Sequence, residues 1–130
     1  TFLCARLEEE LAQLEKEEME AFRSSLGLEP GVPQRVIRQS YDLLGLITFF
    51  TTASRELRAW TIPQGAAATQ AAGNVHSDME RGFIRAEVVH YDDIVRCGSP
   101  AAARRQGLLR QEGKTYTVRD GDVITFLFNL

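Results

Sequence analysis

One stretch of this chain decides its fold, and it runs from Gln70 to Val88 as QAAGNVHSDMERGFIRAEV. The small residues at its start favour a helix with a small-residue face, and the alternation of apolar and polar residues at its end favours a strand. A polar segment lies between them and contains His76, Asp78 and Glu80, residue types that bind metal ions or transfer protons. The stretch can therefore be interpreted as the connection between a helix and a strand, or as a chemical centre.

The residues before this stretch predict two helices followed by a β-hairpin. Apolar residues at helical spacing indicate the helices, which end at Gly27 and Gly45, and β-branched and aromatic residues then indicate the strands. The predicted elements are the end of a strand at 2–4, helices at 7–26 and 33–44, and strands at 46–52 and 57–62.

The residues from 66 onward predict shorter helices that alternate with strands. The predicted helices are 66–75, 91–95 and 100–106, and the predicted strands are 83–89, 108–110, 114–118 and 123–128. The last two strands form a hairpin around the Asp120-Gly121 turn, and Phe83 and Val89 lie on the inner side of their strand. This order predicts an α+β fold in which one mixed sheet carries a helix across one face, a β-grasp or ubiquitin-like arrangement.

Composition and charge limit the possible functions. A chain of 130 residues is long enough for one domain, or for a small domain with an appendage. The first 30 residues carry a net charge of -5 and the remainder +2, which excludes a strongly basic nucleic-acid arm. The longest apolar run, 43–50, is far shorter than the ~20 residues that a membrane span needs, so we expect no membrane association.

The two cysteines and the start of the chain indicate a cytoplasmic protein. Cys4 and Cys97 belong to no Cys-x-x-Cys or Cys/His cluster, and we expect both to be reduced, buried and inert. The chain begins without an initiator methionine or a leader of basic and then apolar residues. We therefore expect that the chain has no signal peptide and that it is a piece of a longer protein.

Five blocks of sequence occur in a fixed order: LGLITFFT at 44–51, RAWTI at 58–62, QAAG at 70–73, HSDMERGFIRAEV at 76–88, and EGK through DGDVI at 112–124. Together they resemble the C-terminal part of the YchF group of Obg-related P-loop NTPases. The resemblance implies that residues 46–130 form a TGS domain, which is a β-grasp module. It also implies that residues 1–45 are the C-terminal end of a P-loop G domain, its last strand plus helices.

The same resemblance implies the activity of the full-length parent. Such a protein binds and hydrolyses ATP, and GTP more weakly, with Mg²⁺, and it associates as a cytoplasmic monomer with the large subunit of the ribosome and with RNA. No glycine-rich phosphate loop of the form GxxxxGK[ST] occurs in these 130 residues. We therefore expect the chain alone to have no catalytic residues, to bind no cofactor and to hydrolyse nothing.

Two groups of residues are candidate binding sites. Cys4-Ala5-Arg6 resembles the Ser/Cys-Ala-Lys motif of the family, whose backbone supports the nucleotide base, although arginine replaces lysine. Arg58, Trp60, Arg85 and Lys114 would provide charge and a stacking surface for RNA or another partner if one face of the sheet exposes them. Alternatively, Trp60 belongs to the core and the arginines are ordinary surface residues.

Two further interpretations remain open from the residues alone. A small metal-binding protein would use His76, Asp78 and Glu80, with His90, but their spacing matches no established metal cluster. In the structural alternative, Asp78 accepts backbone hydrogen bonds, His76 closes the alanine-rich helix and Gly82 permits a tight entry to the strand. A stand-alone ubiquitin-like protein-interaction module without NTPase activity is the other possibility, although the sequence lacks a C-terminal Gly-Gly.

Overall fold

In the computed structural model, which describes residues 3–28, 31–53 and 56–129, the chain forms two structural units. The first is Thr1–Leu43 and the second is Leu44–Leu130. Each unit contains buried apolar side chains, of which Leu11 in the first and Phe49 in the second are the largest that are almost completely buried.

Three helices precede the first strand: α1 (Ala5–Leu11), α2 (Lys16–Ser25) and α3 (Val32–Leu44). The single helix predicted over 7–26 is therefore wrong. Arg23 of α2 donates to both carboxylate oxygens of Glu8 in α1, whereas one straight helix would hold these residues about 22 Å apart along its axis. Leu11 is only 1% exposed. The contacts made when α2 folds back on α1 outweigh the continuous helical periodicity.

The chain start and the second helix give opposite outcomes. The predicted strand end is wrong for Leu3 and Cys4, which belong to no strand, and Phe2 lies outside the described residues. The second predicted helix is confirmed as α3. Gly45 follows it with φ +63°, a left-handed conformation that glycine adopts readily and that ends a helix.

The second unit is built on a five-stranded sheet in the order β2-β1-β5-β3-β4. Its strands are β1 (Leu46–Ala53), β2 (Glu56–Pro63), β3 (Phe83–His90), β4 (Arg110–Glu112) and β5 (Asp122–Phe128). β1 and β5 run parallel, and the other neighbouring strands are antiparallel. The predicted α+β class with one mixed sheet is thus confirmed, as is the first hairpin.

Helix α4 (Ala68–Val75) packs on one face of this sheet and contacts β2 and β3. Its residues Ala68, Ala71 and Ala72 are completely buried, because methyl side chains let the helix backbone approach the strands closely. They join one core cluster with larger side chains from the sheet, among them Phe49 and Ile124. The small-residue face predicted from the alanine-rich segment therefore builds the core.

The second predicted hairpin is wrong. Residues 114–118 form no strand, and only Thr117 makes an isolated bridge, to Ala67. Both sides of β5 are occupied by β1 and β3, so no place beside it remains for 114–118. The segment instead bonds to the start of α4, where Ala68 N donates to Tyr116 O at 2.8 Å and Val118 N donates to the carbonyl of residue 66 at 3.0 Å.

Three short helices connect the remaining elements: α5 (Ser77–Arg81), α6 (Tyr91–Cys97) and α7 (Pro100–Arg105). The predicted turns at α6 and α7 are confirmed, and Ser99 Oγ caps α7 by accepting from Ala102 N at 3.1 Å. The predicted strand at 108–110 is shifted, since β4 begins at Arg110. In the part of the chain that the structure describes, no helix has the length and apolar character needed to cross a membrane.

Candidate functional site

The pairing of the strands sorts the candidate side chains onto the two faces of the sheet. Residues that are directly opposite in a ladder share a face, and successive residues alternate between faces. The face that carries α4, which we call the helix face, includes Phe49 and its partner Trp60, and Thr51 and its partner Arg58. We call the opposite face the outer face.

Trp60 is partly a core residue. Its ring is half-buried and packs against the core cluster, and its Nε1 donates a hydrogen bond to Oγ1 of Thr51 at 2.9 Å. A buried indole N–H normally needs such a partner. The alternative in which Trp60 belongs to the core therefore describes its surroundings better than an exposed stacking platform does.

Arg58 lies beside Trp60 on the helix face but remains in solvent. Its side chain is 64% exposed, and its Nη2 donates to Oε2 of Glu56 at 2.9 Å. This pair is close to neutral as a unit. Arg58 therefore presents less positive charge to a partner than its residue type suggests.

Arg85 occupies the outer face. It pairs with Leu127 in the β3–β5 ladder, and its neighbour Ala86 is completely buried on the helix face. The prediction that one face exposes Arg58, Trp60 and Arg85 together is therefore wrong. Alternation along β3 separates them, and no property of the individual residues reveals this.

Lys114 lies in the turn that follows β4 and is exposed. The register of β3 with β4, in which Ala86 faces Glu112, places Lys114 at the same end of the sheet as Arg85. Within residues 3–28, 31–53 and 56–129, neither Arg85 nor Lys114 forms an ion pair. These two cations are available to an external anion.

The outer face also carries an aromatic residue that the sequence analysis did not select. Phe50 is half-buried and lies opposite Ala59 in β2 and beside Val123 in β5. Its place in the apolar run 43–50 does not distinguish it from a core residue. Its neighbour Phe49 does enter the core, so only the register distinguishes the two.

Cys4, Ala5 and Arg6 form the entry to α1. Cys4 is extended, with φ -94° and ψ 97°, and is exposed, whereas Ala5 and Arg6 begin the helix. Nε of Arg6 donates to Oε1 of Glu10 one turn later at 3.2 Å, and the arginine side chain is 87% exposed. The role of these three residues at a nucleotide base stays a prediction.

The polar segment at 76–81 is a helix junction. His76 ends α4 and begins α5, and its Nδ1 accepts a hydrogen bond from Asp78 N at 3.1 Å. The carboxylate of Asp78 bonds to the guanidinium of Arg81. This hydrogen bond, aided by the positive charge, lowers the pKa of Asp78 against the opposing effect of desolvation.

The remaining polar residues of the metal interpretation also have structural contacts. The carboxylate of Glu80 lies over Gly73, where a Cβ atom would collide with it. His90 Nδ1 accepts from Asp92 N at 3.3 Å, and its Nε2 lies 3.0 Å from the carbonyl of Asp120. Among the described residues no three His, Cys, Asp or Glu side chains are grouped to hold an ion. The interpretation as a connection between helix and strand therefore fits the contacts, but the Asp78 carboxylate accepts from the Arg81 side chain where backbone donors were expected.

A buried polar cluster escaped the sequence analysis. Asp122 is completely buried, and its Oδ2 accepts from the Tyr116 hydroxyl at 2.7 Å and from Arg119 N at 2.9 Å. Arg110 Nη2 donates to the Tyr116 oxygen at 3.0 Å and lies 3.7 Å from Asp122 Oδ1. These residues come together because the segment 114–118 does not form the predicted hairpin strand. The local sequence pattern therefore could not predict the cluster.

The contacts within this cluster shift the pKa of two of its members, Tyr116 and Arg110. Burial, followed by the hydrogen bond to Asp122, raises the pKa of Tyr116, which keeps its hydroxyl protonated. Burial alone would lower the pKa of Arg110, but its interactions with Tyr116 and with Asp122 raise it overall. The cluster is thus a structural anchor between β4, the 116–119 segment and β5.

The cysteines differ from the prediction. Cys4 is exposed and Cys97 is half-buried, so the expectation that both are buried is wrong. Sγ of Cys97, at the end of α6, donates to Oε1 of Gln106, at the end of α7, at 3.2 Å. Cys4 lies before α1 and not within a strand, which explains its exposure.

The fold and these blocks of sequence match known proteins. The family YchF-GTPase_C, described as a protein of unknown function (DUF933), matches residues 46–129. The chain belongs to the YchF family. The YchF proteins of Bacillus subtilis and of Escherichia coli O157:H7, each named a ribosome-binding ATPase, are 49% and 48% identical to it over 128 residues.

A solved YchF structure matches as well. The YchF GTPase of Schizosaccharomyces pombe superposes with a TM-score of 0.82 at 34% identity, covering 93% of this chain and 32% of that one. The two bacterial YchF relatives are matched over 98% of this chain and 35% of their own length. The chain therefore spans about a third of the YchF relatives that it matches, and the resemblance found from the sequence is confirmed.

Proposed function

We propose that this chain is the C-terminal portion of a cytoplasmic, ribosome-associated P-loop NTPase. The observation that supports this proposal most directly is the chain's 48–49% identity, over almost its whole length, to relatives that are named ribosome-binding ATPases. The full-length protein binds and hydrolyses ATP, and GTP more weakly, with Mg²⁺. Residues 1–45 complete its G domain, with the backbone at Cys4, Ala5 and Arg6 beside the nucleotide base.

In this proposal, residues 46–130 form a TGS domain with the β-grasp fold. The strand order β2-β1-β5-β3-β4, with parallel central strands and a helix packed on one face, supports that assignment. The parent protein is a monomer, and its TGS domain binds the large ribosomal subunit. Nucleotide hydrolysis is assigned to the rest of the parent, because this chain has no phosphate loop.

Arg85 and Lys114 contact RNA phosphates in the proposed complex. Both are exposed cations without an ion pair among the described residues, and both lie toward the same end of the sheet. Arg58 and Trp60, on the helix face, are a separate part of the surface, and Arg58 is already engaged by Glu56. Phosphate contacts would come mainly from the first pair.

Co-sedimentation with ribosomes tests the proposal. The full-length protein should pellet with ribosomes, and a version that lacks residues 46–130 should not. In the intact protein, Arg85→Gln with Lys114→Gln should weaken binding and lower the slope of log affinity against log salt by roughly one for each phosphate that is no longer neutralised. Arg105→Gln is the matched control, because Arg105 is an exposed arginine on a different element.

The outcomes separate the alternatives. Equal pelleting with and without residues 46–130 would remove the ribosome-binding role of this module. An unchanged salt slope in the double variant would remove the role of Arg85 and Lys114 only. A full-length protein without any nucleotide hydrolysis would favour the stand-alone interaction module.

A further inference from the structure

Strand β2 is an outer strand of the sheet, and its backbone has a defined outward side. Gln64 N donates to Gly45 O at 2.8 Å, which extends the β1–β2 register by one residue beyond Leu46 and Pro63. Hydrogen-bonded and non-hydrogen-bonded pairs alternate in an antiparallel ladder. The backbone N–H and C=O groups of the even-numbered β2 residues therefore bond to β1. Those of the odd-numbered residues point away from β1, toward the open edge of the sheet.

A side chain from α4 bonds to one of the backbone groups of β2 that point away from β1. Nδ2 of Asn74 donates to the carbonyl oxygen of Thr61 at 3.0 Å, as expected if that carbonyl points away from β1. Leu57 and Ala59 are the next outward-facing residues. Among the described residues, no group bonds to the backbone N–H or C=O of either one.

The side chains around these groups suit a polypeptide better than a phosphate backbone. Leu57 is 66% exposed and lies, with Ala59, on the outer face next to Phe50. Of the charged residues that the structure describes on this strand, Glu56 and Arg58 neutralise one another. Leu57 and Ala59 each present one backbone N–H donor and one C=O acceptor, and they lie about 7 Å apart along the strand. This spacing is complementary to another extended peptide backbone.

We propose that β2 binds an extended protein segment of the ribosome as an additional strand, through the backbone of Leu57 and Ala59. An apolar side chain of that segment packs on Leu57 at the outer face. The inference rests on the proposed ribosome association, but it assigns a protein partner at this edge, separate from the RNA phosphates at Arg85 and Lys114. Unprotected strand edges readily accept such pairing.

The test uses the full-length protein and purified ribosomes. Ala59→Pro removes the outward N–H without removing a bond to β1, and proline is tolerated at such edge positions. Ala59→Ser keeps the N–H and is the matched control. We expect Ala59→Pro to weaken ribosome binding by about tenfold, independently of salt, and Ala59→Ser to leave it unchanged.

Amide hydrogen exchange of the unmodified protein provides a second measurement that does not depend on the folding of a variant. The amides of Leu57 and Ala59 should exchange quickly in the free protein and become protected in the ribosome complex. Bound protein with unprotected amides at both positions overturns this inference while leaving the proposed function intact. If the protein does not pellet with ribosomes at all, the proposed function fails, and this inference fails with it.

Two controls identify the occupant of the edge. Protection by protein-free ribosomal RNA would mean that RNA covers β2, and the inference would be wrong. Protection that rises with protein concentration without ribosomes would mean that a second copy occupies the edge, which also contradicts it. Protection by ribosomes alone, with the protection of the Leu57 amide abolished in Ala59→Pro, supports a protein strand.

Discussion

The indole Nε1 of Trp60 donates a hydrogen bond to Oγ1 of Thr51 across the β1–β2 ladder at 2.9 Å. This contact joins an edge strand to its neighbour on the face that α4 covers. It makes Trp60 a residue that packs against the core, although its residue type suggested a stacking surface for RNA or another partner.

Trp60→Phe should therefore change stability and not binding. Removal of the hydrogen bond and of part of the buried ring should lower the free energy of unfolding by about 1–2 kcal/mol. Urea denaturation measures this quantity, and ribosome co-sedimentation measures the affinity. A folded Trp60→Phe protein with strongly reduced ribosome affinity would contradict the packing role.

Gly82 should tolerate no side chain. Its carbonyl accepts from Asn129 N at 2.9 Å, and a Cβ at position 82 would overlap the backbone carbonyl of Asn129. Backbone atoms cannot move aside as a flexible side chain can, so Gly82→Ala should destabilise the protein by about 1–3 kcal/mol. Gly113→Ala is the control, because no described residue other than its two chain neighbours has an atom within 4 Å of its Cβ position. Equal melting temperatures for the two variants would refute the close approach.

Tyr116→Phe should destabilise the protein and change its behaviour at high pH. The variant removes the donor to Asp122, which leaves a completely buried carboxylate with fewer hydrogen bonds, at a cost of about 1–3 kcal/mol. Urea denaturation at neutral pH measures this decrease in stability.

The pH dependence follows from the raised pKa of Tyr116. The folded protein holds the phenolic proton more tightly than the unfolded chain, whose reference pKa is 10.0. The resulting stabilisation is fully present below pH 10.0 and is lost as the pH rises through the higher pKa of the folded state. As the pH rises from 10.0 toward the pKa of Tyr116 in the folded state, stability should therefore fall more steeply in the unmodified protein than in Tyr116→Phe. Parallel curves would contradict the shift.

Arg6→Ala should leave nucleotide hydrolysis unchanged in the full-length protein. The Arg6 guanidinium bonds to Glu10 and is exposed, and the proposed base contact uses only backbone groups. We expect kcat and KM for ATP to change by less than about twofold, since an exposed pair of this kind contributes little. Steady-state ATPase kinetics test this, and a large rise in KM would mean that the side chain itself contacts the nucleotide.

Elements specified by local pattern were predicted well. Glycine with a left-handed backbone ends α3 at Gly45, Ser99 caps α7, and β-branched residues form β1. The same holds for the alanine-rich α4. Each of these elements depends on residues within a few positions of one another, so the sequence alone is sufficient to predict it.

Elements that depend on distant partners were not predicted. The split of the first helix requires the Glu8–Arg23 pair, and the 114–118 segment cannot pair with β5 because β1 and β3 already flank that strand. Local propensity is the same in either arrangement, so only competition between long-range contacts decides.

The candidate site follows the same division. The sequence by itself determined the family, the α+β class and the short helix-to-strand connection within 70–88. Only the tertiary structure decided that Arg58 and Arg85 lie on opposite faces, and that Leu57 and Ala59 offer backbone groups to which no residue in the described part of the chain bonds. The physical reason is that strand register, set by pairing between distant residues, decides where each side chain and each peptide group points.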